Sequence, residues 1–406
     1  MKILLGGVPL GCDNIGDEAI VGCVVGLLRK IVPESRITVC TRDREGTAKR
    51  LEVETAPLYG FAGESDLRGF EELARRHDVY IWFGATGLSD YPETALRLLR
   101  TARKAGVPSI VWGVGMNSEL NPAFYRAAGM RRKLLHLASR CSFGVFDFIS
   151  FYESLLRDRT MRHVREELSA CELVVLRDEP SVREVEKCGF FTAVEGADTA
   201  ILQSASTVPP LSDEPGTERI GFCISEQSAV RDLTGVRVLW DKLLESPRRR
   251  LVLIPMNPVT DRRLMLKIAS ECRNSGRIEC LDSADPAVVQ ACAGQCRVLV
   301  SSRLHLLILG ANAGTPGIGI ERGSKIANWL MNFGDTPAGT VELCDFEDVR
   351  RRIERVLALP EAETREEVSH VMAEMRVRLD SAAEKLRLAL IGSADRMLPN
   401  CRRPGV

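Results

Sequence analysis

The stretch Arg297–Asn332, RVLVSSRLHLLILGANAGTPGIGIERGSKIANWLMN, decides the reading of the whole chain. Val298-Leu299-Val300 is a short apolar, β-branched run, which predicts a buried parallel strand. The run stops at Ser301-Ser302, and Arg303, Leu304 and His305 follow. Leu306, Leu307, Ile308, Leu309 and Ala311 then make a helix that is apolar on nearly all sides. The turn Asn312-Ala313-Gly314-Thr315 leads to a second strand, Pro316 to Ile320. Glu321, a Gly323-Ser324 cap and Lys325 open the next helix. In an open α/β sheet, the carboxyl ends of strands and the first turns of the following helices line the ligand crevice. The polar clusters Ser301–His305 and Glu321–Lys325 both fall at such ends, so a site is expected there.

The chemistry of these clusters suits a small anion. Arg303 offers a planar fork of donors for a carboxylate or phosphate, and Lys325 a compact positive charge. Free N–H groups and the helix dipole near Ser302 favour the same ligand. His305 is the one side chain of the group that exchanges a proton near neutral pH. Surface charges and a core histidine would explain any of the three singly. Together, at two successive strand ends, they read as a site.

Working outward, Lys2 to Leu5 is a first strand that breaks at Gly6-Gly7. The loop GGVPLGCDNIGDEAIV follows and runs into a helix from about Asp17 to Ile31. Its glycines at 7, 11 and 16 do not fit a dinucleotide fingerprint. Asn14 and Asp17 are candidates for hydroxyl binding and for a base, and Asp17 also suits a helix cap. Further strands are predicted at Arg36–Thr41, Asp78–Phe83, Ser109–Val114 and Glu172–Leu176, the last delivering Arg177 to a strand end. Helices around 122–140 carry Arg126, Arg131, Arg132, Lys133 and Arg140. They read as a solvated face or as contact with an anionic membrane surface. VPPLSDEPGTE, residues 208–218, reads as a linker. Strand–helix alternation resumes at 219–360, with strands at Arg219–Ser225, Arg250–Pro255 and Arg277–Cys280. Glu361–Ile391 is one long amphipathic helix, with Val368, Met372, Met375, Leu379, Ala383, Leu386 and Leu390 at three- and four-residue steps. It packs across a domain or forms a dimer seam. The expected fold is α/β, with two Rossmann-like domains (1–207 and 219–360) whose parallel sheets face a central cleft, then a C-terminal helix and tail (361–406).

Three motifs resemble the polysaccharide pyruvyltransferases: Asn14-Ile15-Gly16-Asp17-Glu18-Ala19, Arg177-Asp178-Glu179-Pro180-Ser181, and Ser301 to His305 with Lys325 downstream. The resemblance spans about residues 1 to 335. The run of glycines usual after the third strand is here Gly84-Ala85-Thr86-Gly87. The resemblance implies a GT-B fold, and phosphoenolpyruvate as donor of a pyruvate ketal to two hydroxyls of a sugar in a cell-surface polysaccharide or its precursor. On that basis Arg177, Ser302, Arg303 and Lys325 bind the donor, and His305 and Asp17 are catalytic. Asn14 and Asp90 meet an acceptor that is a free or lipid-linked saccharide. No metal and no cofactor beyond phosphoenolpyruvate are expected. A GT-B glycosyltransferase with a nucleotide-sugar donor is the alternative, with Glu321 on the ribose hydroxyls. A non-catalytic binding protein is a third reading.

Composition bounds these readings. The 406 residues exceed one ordinary domain. Fifty-five basic and 55 acidic side chains balance, which speaks against a nucleic-acid partner. Thirteen scattered cysteines without a CxxC pair fit free thiols in a reducing cytoplasm. MKILLGGVPLG is too short in apolar run for a secretory signal. The expected location is therefore the cytoplasm, at the inner membrane face if the acceptor is lipid-linked.

Overall fold

The structure, a computed structural model, describes residues 1–61, 65–118, 125–142, 145–207, 216–226 and 231–397. The first part of the chain builds β1 (Lys2–Gly6), α1 (Ile15–Ile31), β2 (Arg36–Thr41), α2 (Arg44–Leu51), β3 (Glu54–Pro57), α3 (Ser65–Ala74) and β4 (Val79–Phe83). It continues with α4 (Gly87–Asp90), α5 (Pro92–Lys104), β5 (Ser109–Val114), α6 (Gly129–Cys141), α7 (Phe148–Ser169), β6 (Leu173–Leu176), α8 (Glu179–Lys187) and β7 (Val194–Glu195). The second part builds β8 (Glu218–Cys223), α9 (Leu233–Leu243), β9 (Arg249–Leu253), α10 (Thr260–Ser270), β10 (Ile278–Cys280), α11 (Pro286–Gly294) and β11 (Val298–Ser301). Then follow α12 (Leu304–Asn312), β12 (Gly317–Gly319), α13 (Lys325–Leu330), α14 (Phe346–Ala358) and α15 (Glu361–Met397).

Every strand pair is parallel. The first sheet has seven strands in the order β3-β2-β1-β4-β5-β6-β7, and the second has five in the order β10-β9-β8-β11-β12. VYIWF in β4 and SIVWGV in β5 are buried at every residue. Such unbroken apolar runs suit strands covered by helices on both faces. One apolar cluster joins the two sheets, from Ile3 and Leu5 of β1 to Leu306 and Leu309 of α12. The Ile15 N–H donates to the Met256 carbonyl at 3.0 Å across the gap. Helix α15 contributes Val368, Met372, Met375, Leu379, Leu386 and Leu390 to the same cluster. Its Arg378 bonds Glu195 at the end of β7 and Asn332 beyond α13, so it ties the two halves together.

Several elements depart from the sequence reading. Strands β3 and β7 and the 22-residue helix α7 were not expected. The helix predicted from about residue 122 starts at Gly129, and residues 119–124 are not described. Most of the expected linker, residues 208–215, lies outside the described residues, and Glu218 already belongs to β8. The helix expected from about Asp17 begins at Ile15, and its cap is Asn14 rather than Asp17. The Asn14 side chain accepts from the Gly16 N–H at 3.2 Å.

Candidate active site

A cavity of about 210 Å³ opens where the carboxyl ends of both sheets meet. That is below the roughly 300 Å³ at which ordinary ligand pockets begin, so it suits a small molecule. Asn14 and Asp17 reach it after β1, Ala85, Thr86, Asp90 and Tyr91 after β4, and Arg177 after β6. From the other half come Met256 after β9, Arg303 to His305 after β11, and Arg322 and Lys325 after β12. Seven of the eight candidate residues named from the sequence converge here.

The exception is Ser302. Its N–H donates to the Cys223 carbonyl at 3.0 Å, and its Oγ accepts from the Ser225 N–H at 2.9 Å. It pins β11 to β8, is 1% exposed and lies outside the cavity lining. Nor does it cap α12. Arg303 is the capping residue, and its N–H is held by Ser301 Oγ at 2.9 Å.

Arg303 is less free than its sequence position suggests. Its Nε and Nη2 donate to the two carboxylate oxygens of Asp261 at 3.0 and 2.9 Å. Asp261 is fully buried and also accepts from the Glu226 and Asn257 N–H groups. Burial opposes the guanidinium charge, and the Asp261 carboxylate outweighs it, holding the Arg303 pKa above its usual value. One edge of the fork is therefore occupied, and Nη1 carries no bond of its own toward Asp261. Arg177 is 6% exposed. Its Nε donates to Asp178 at 3.1 Å, while Nη2 is buried without a partner among the described residues. Gly115 makes this possible, because a Cβ there would lie 2.6 Å from Nη2.

His305 packs against the first turn of α1. A Cβ on Gly16 would collide with its imidazole, so that position requires glycine for space and not for backbone conformation. The His305 Nε2 lies 3.6 Å from Oδ2 of Asp198, an ion-pair distance beyond hydrogen-bond range. Asp198 is also 3.8 Å from Arg177 Nη1. Burial pushes the Asp198 pKa up, but His305 and Arg177 prevail and hold it below the ordinary carboxylate value. Asp17, 5% exposed, is pushed up to about 6, chiefly by burial, although His305 and the 2.7 Å bond from Asn14 Nδ2 act in the other direction. Lys325 is lowered to about 8 by burial, with Arg322, Arg177 and Arg303 adding repulsion and Asp90 opposing it.

On the opposite wall, Asp90 accepts from Asn117 Nδ2 at 3.1 Å and from the Thr86 hydroxyl. The loop that holds it has left-handed backbone at Gly84 and Ala85, with φ of 62° and 59°. Alanine thus keeps a conformation that favours glycine. Glu321, the carboxylate that a nucleotide-sugar site would require, is engaged otherwise. It accepts from the Arg322 and Ala327 N–H groups and holds the loop before α13. It does not line the cavity.

Sequence reasoning missed Asp198, Asp261, Arg322 and Tyr91. Asp198 follows a strand of two residues, too short to show a pattern. Asp261 looks like an ordinary acid in a helix first turn. Arg322 was legible, since it lies between Glu321 and Lys325 in the cluster already singled out. Among the described residues no group of three or more potential ligands is placed to hold a metal ion, and no helix is long and apolar enough to cross a membrane.

The two facing parallel-sheet domains, with a site at their carboxyl ends, define a GT-B architecture. Solved structures of that class superpose along the whole chain. A protein named as a UDP-N-acetylglucosamine 2-epimerase from Listeria monocytogenes is similar with a TM-score of 0.61 at 13% identity, covering 100% of this chain and 99% of that one. The UDP-N-acetylglucosamine 2-epimerase from Neisseria meningitidis gives 0.57 at 10% identity, over 97% and 100% of the two chains. The glycotransferase of kitacinnamycin gives 0.56 at 13%, over 98% and 99%. At these identities the likeness is one of fold. No curated protein matches the sequence. The family described as polysaccharide pyruvyl transferase matches residues 14–324, and the chain belongs to it.

Proposed function

We propose that this transferase moves the pyruvyl group of phosphoenolpyruvate onto two hydroxyls of a sugar in a cell-surface polysaccharide or its precursor. One observation carries the reading. Arg177, Arg303, Arg322 and Lys325 converge with His305 on a cavity of about 210 Å³, a concentration of positive charge suited to a small trianion. The unpartnered Nη2 of Arg177 faces the task of holding the carboxylate or phosphate. Lys325 and Arg322 share the phosphate.

The chemistry balances with the residues at hand. His305, as imidazolium supported by Asp198, delivers a proton to the methylene carbon. A sugar hydroxyl attacks C2 and yields its proton to Asp17. The C2–O bond to phosphate breaks, and a neighbouring hydroxyl closes the ketal. Of the two hydroxyl protons, one ends on the new methyl group and one on inorganic phosphate. A carboxylate with pKa about 6 is ionised at neutral pH yet basic enough to accept a proton. General acid–base help of this kind is worth roughly 10²- to 10⁴-fold.

Calorimetry with phosphoenolpyruvate, and phosphate release in the presence of a panel of sugars, test the reading. Binding of phosphoenolpyruvate that is lost in Arg303→Ala supports it. A response to nucleoside diphosphates and none to phosphoenolpyruvate would replace it with a glycosyltransferase.

A further inference from the structure

Behind the wall formed by Asp90 and Asn117 lies a second, larger cavity of about 660 Å³. Arg126, Arg157, Arg162, Arg165 and Lys187 line it. Two acids face them, Asp158 and Glu184, and Glu184 already accepts from Lys187 Nζ at 2.6 Å. Several other arginines of this chain are tied to carboxylates. Arg249 is clamped by Glu218 and Glu354, Arg100 and Arg103 by Glu167, and Arg352 by Asp348 and Asp335. The side chains of the four arginines of the second cavity carry no hydrogen bond or ion pair among the described residues. Five cations against two carboxylates leave an excess of positive charge in a concave surface, and that potential is relieved by a bound anion.

The wall itself points the same way. Asn117 lines the second cavity and donates to Asp90, which lines the first; Asn117 is 8% exposed, and its Oδ1 has no partner among the described residues. The neighbouring Ser118 N–H donates to Ser324 Oγ at 3.0 Å, one residue before Lys325. Residues 117 and 118 thus stand between the cations and the cleft, in contact with both.

We propose that this cavity is a second anion site, which holds a phosphate or diphosphate ester of the acceptor while its sugar hydroxyls lie in the cleft. The acceptor role rests on the pyruvyl transfer proposed above; anion binding does not. A nucleotide-linked and a lipid-linked saccharide present the same diphosphate. On α7 the cavity-lining Arg162 continues a face that carries Phe151 and Leu155 at helical spacing, 51% and 50% exposed. A lipid-borne diphosphate would meet apolar surface there.

The test is a calorimetric titration with inorganic pyrophosphate, carried out with the cleft first saturated by phosphoenolpyruvate. Pyrophosphate should still bind the wild type. Arg162→Ala with Arg165→Ala should weaken it about tenfold or more, as expected for lost charge-assisted contacts, and leave phosphoenolpyruvate affinity within about twofold. Lysine at both positions should restore part of the binding. Pyrophosphate affinity unchanged in the double alanine variant, or abolished by phosphoenolpyruvate, overturns the proposal. Sedimentation with phosphatidylglycerol vesicles separates the sources. Loss of vesicle binding in the double variant with pyrophosphate affinity intact would assign the cations to a bilayer surface and overturn the diphosphate site. If phosphoenolpyruvate fails to bind while pyrophosphate behaves as expected, the transfer reaction falls and the anion site stands.

Discussion

His305 Nε2 lies 3.6 Å from Asp198 Oδ2, and the two residues come from different sheets of the molecule. Asp198 N-caps the short turn Thr199–Leu202 beside the first sheet, whereas His305 opens α12 in the second. The pair exists only when the halves are assembled. At this distance the buried carboxylate orients the ring and supplies a negative charge beside it. Asp198→Asn should therefore lower turnover by about 10²-fold, the lower end of general-acid contributions. Affinity for phosphoenolpyruvate should fall much less. Steady-state phosphate release together with calorimetry separates the two effects, and equal losses in both would assign Asp198 to binding through Arg177.

The Arg303–Asp261 pair predicts an asymmetry in stability. Asp261→Ala strips the buried guanidinium edge of its partner and also frees the Glu226 and Asn257 N–H groups. Breaking a buried pair this way costs about 3–5 kcal/mol. Arg303→Ala leaves Asp261 with both backbone donors, so it should be milder in urea denaturation while removing phosphoenolpyruvate binding.

Activity should follow a bell in pH. Asp17 acts as a base only when ionised, so kcat/KM rises as pH climbs through about 6. Lys325 holds phosphate only when charged, so the rate falls as pH passes about 8. Asp17→Asn should abolish the acid limb along with most of the activity, and Lys325→Arg should move the alkaline limb upward. A profile flat from pH 5 to 9 in the wild type would remove both assignments.

Stability carries the opposite sign for the same carboxylate. The folded pKa of Asp17 lies above its ordinary value of 3.8, so its contribution is full below about 4 and is lost as pH rises through about 6. At 1.36 kcal/mol per pKa unit, that is up to about 3 kcal/mol. Asp17→Asn should be the more stable protein at pH 7, with the difference shrinking at pH 5, as read by urea denaturation.

Two glycines of α1 give a paired test. Nothing lies within 4 Å of a Cβ on Gly26, so Gly26→Ala should stabilise by up to about 1 kcal/mol through helix propensity and leave turnover alone. Gly16→Ala gains the same propensity but displaces His305, and should reduce turnover at least about tenfold. Thermal melts and phosphate release distinguish the two.

Much of the framework was legible because parallel strands buried on both faces leave continuous apolar runs. Val298–Val300, Ser109–Val114 and Arg36–Thr41 are examples. β3 and β7 were not, since four and two residues carry no periodicity. Helix α7 was hidden for another reason. Val164, Glu167 and Leu168 are its buried residues, so no apolar stripe marks it. In the site, residues fixed by local chemistry, such as Arg303, His305 and Lys325, could be named from their strand-end positions. Their carboxylate partners could not. Asp261 lies 42 residues from Arg303 and Asp198 lies 107 residues from His305, and such pairings are set by topology rather than spacing. Ser302 illustrates the converse, because a serine at a strand end serves equally well to pin a neighbouring strand.

Helix α15 has a consequence for biosynthesis. Leu386 and Leu390 share one apolar cluster with Ile3 and Leu5. A nascent chain that has emerged only to the end of α14 thus carries both sheets with part of their common interior still open to water. The interior shared by the two halves is complete only once the polypeptide has been made past Leu390. Ribosome-bound intermediates should accordingly stay sensitive to protease until that point and become resistant in a single late step.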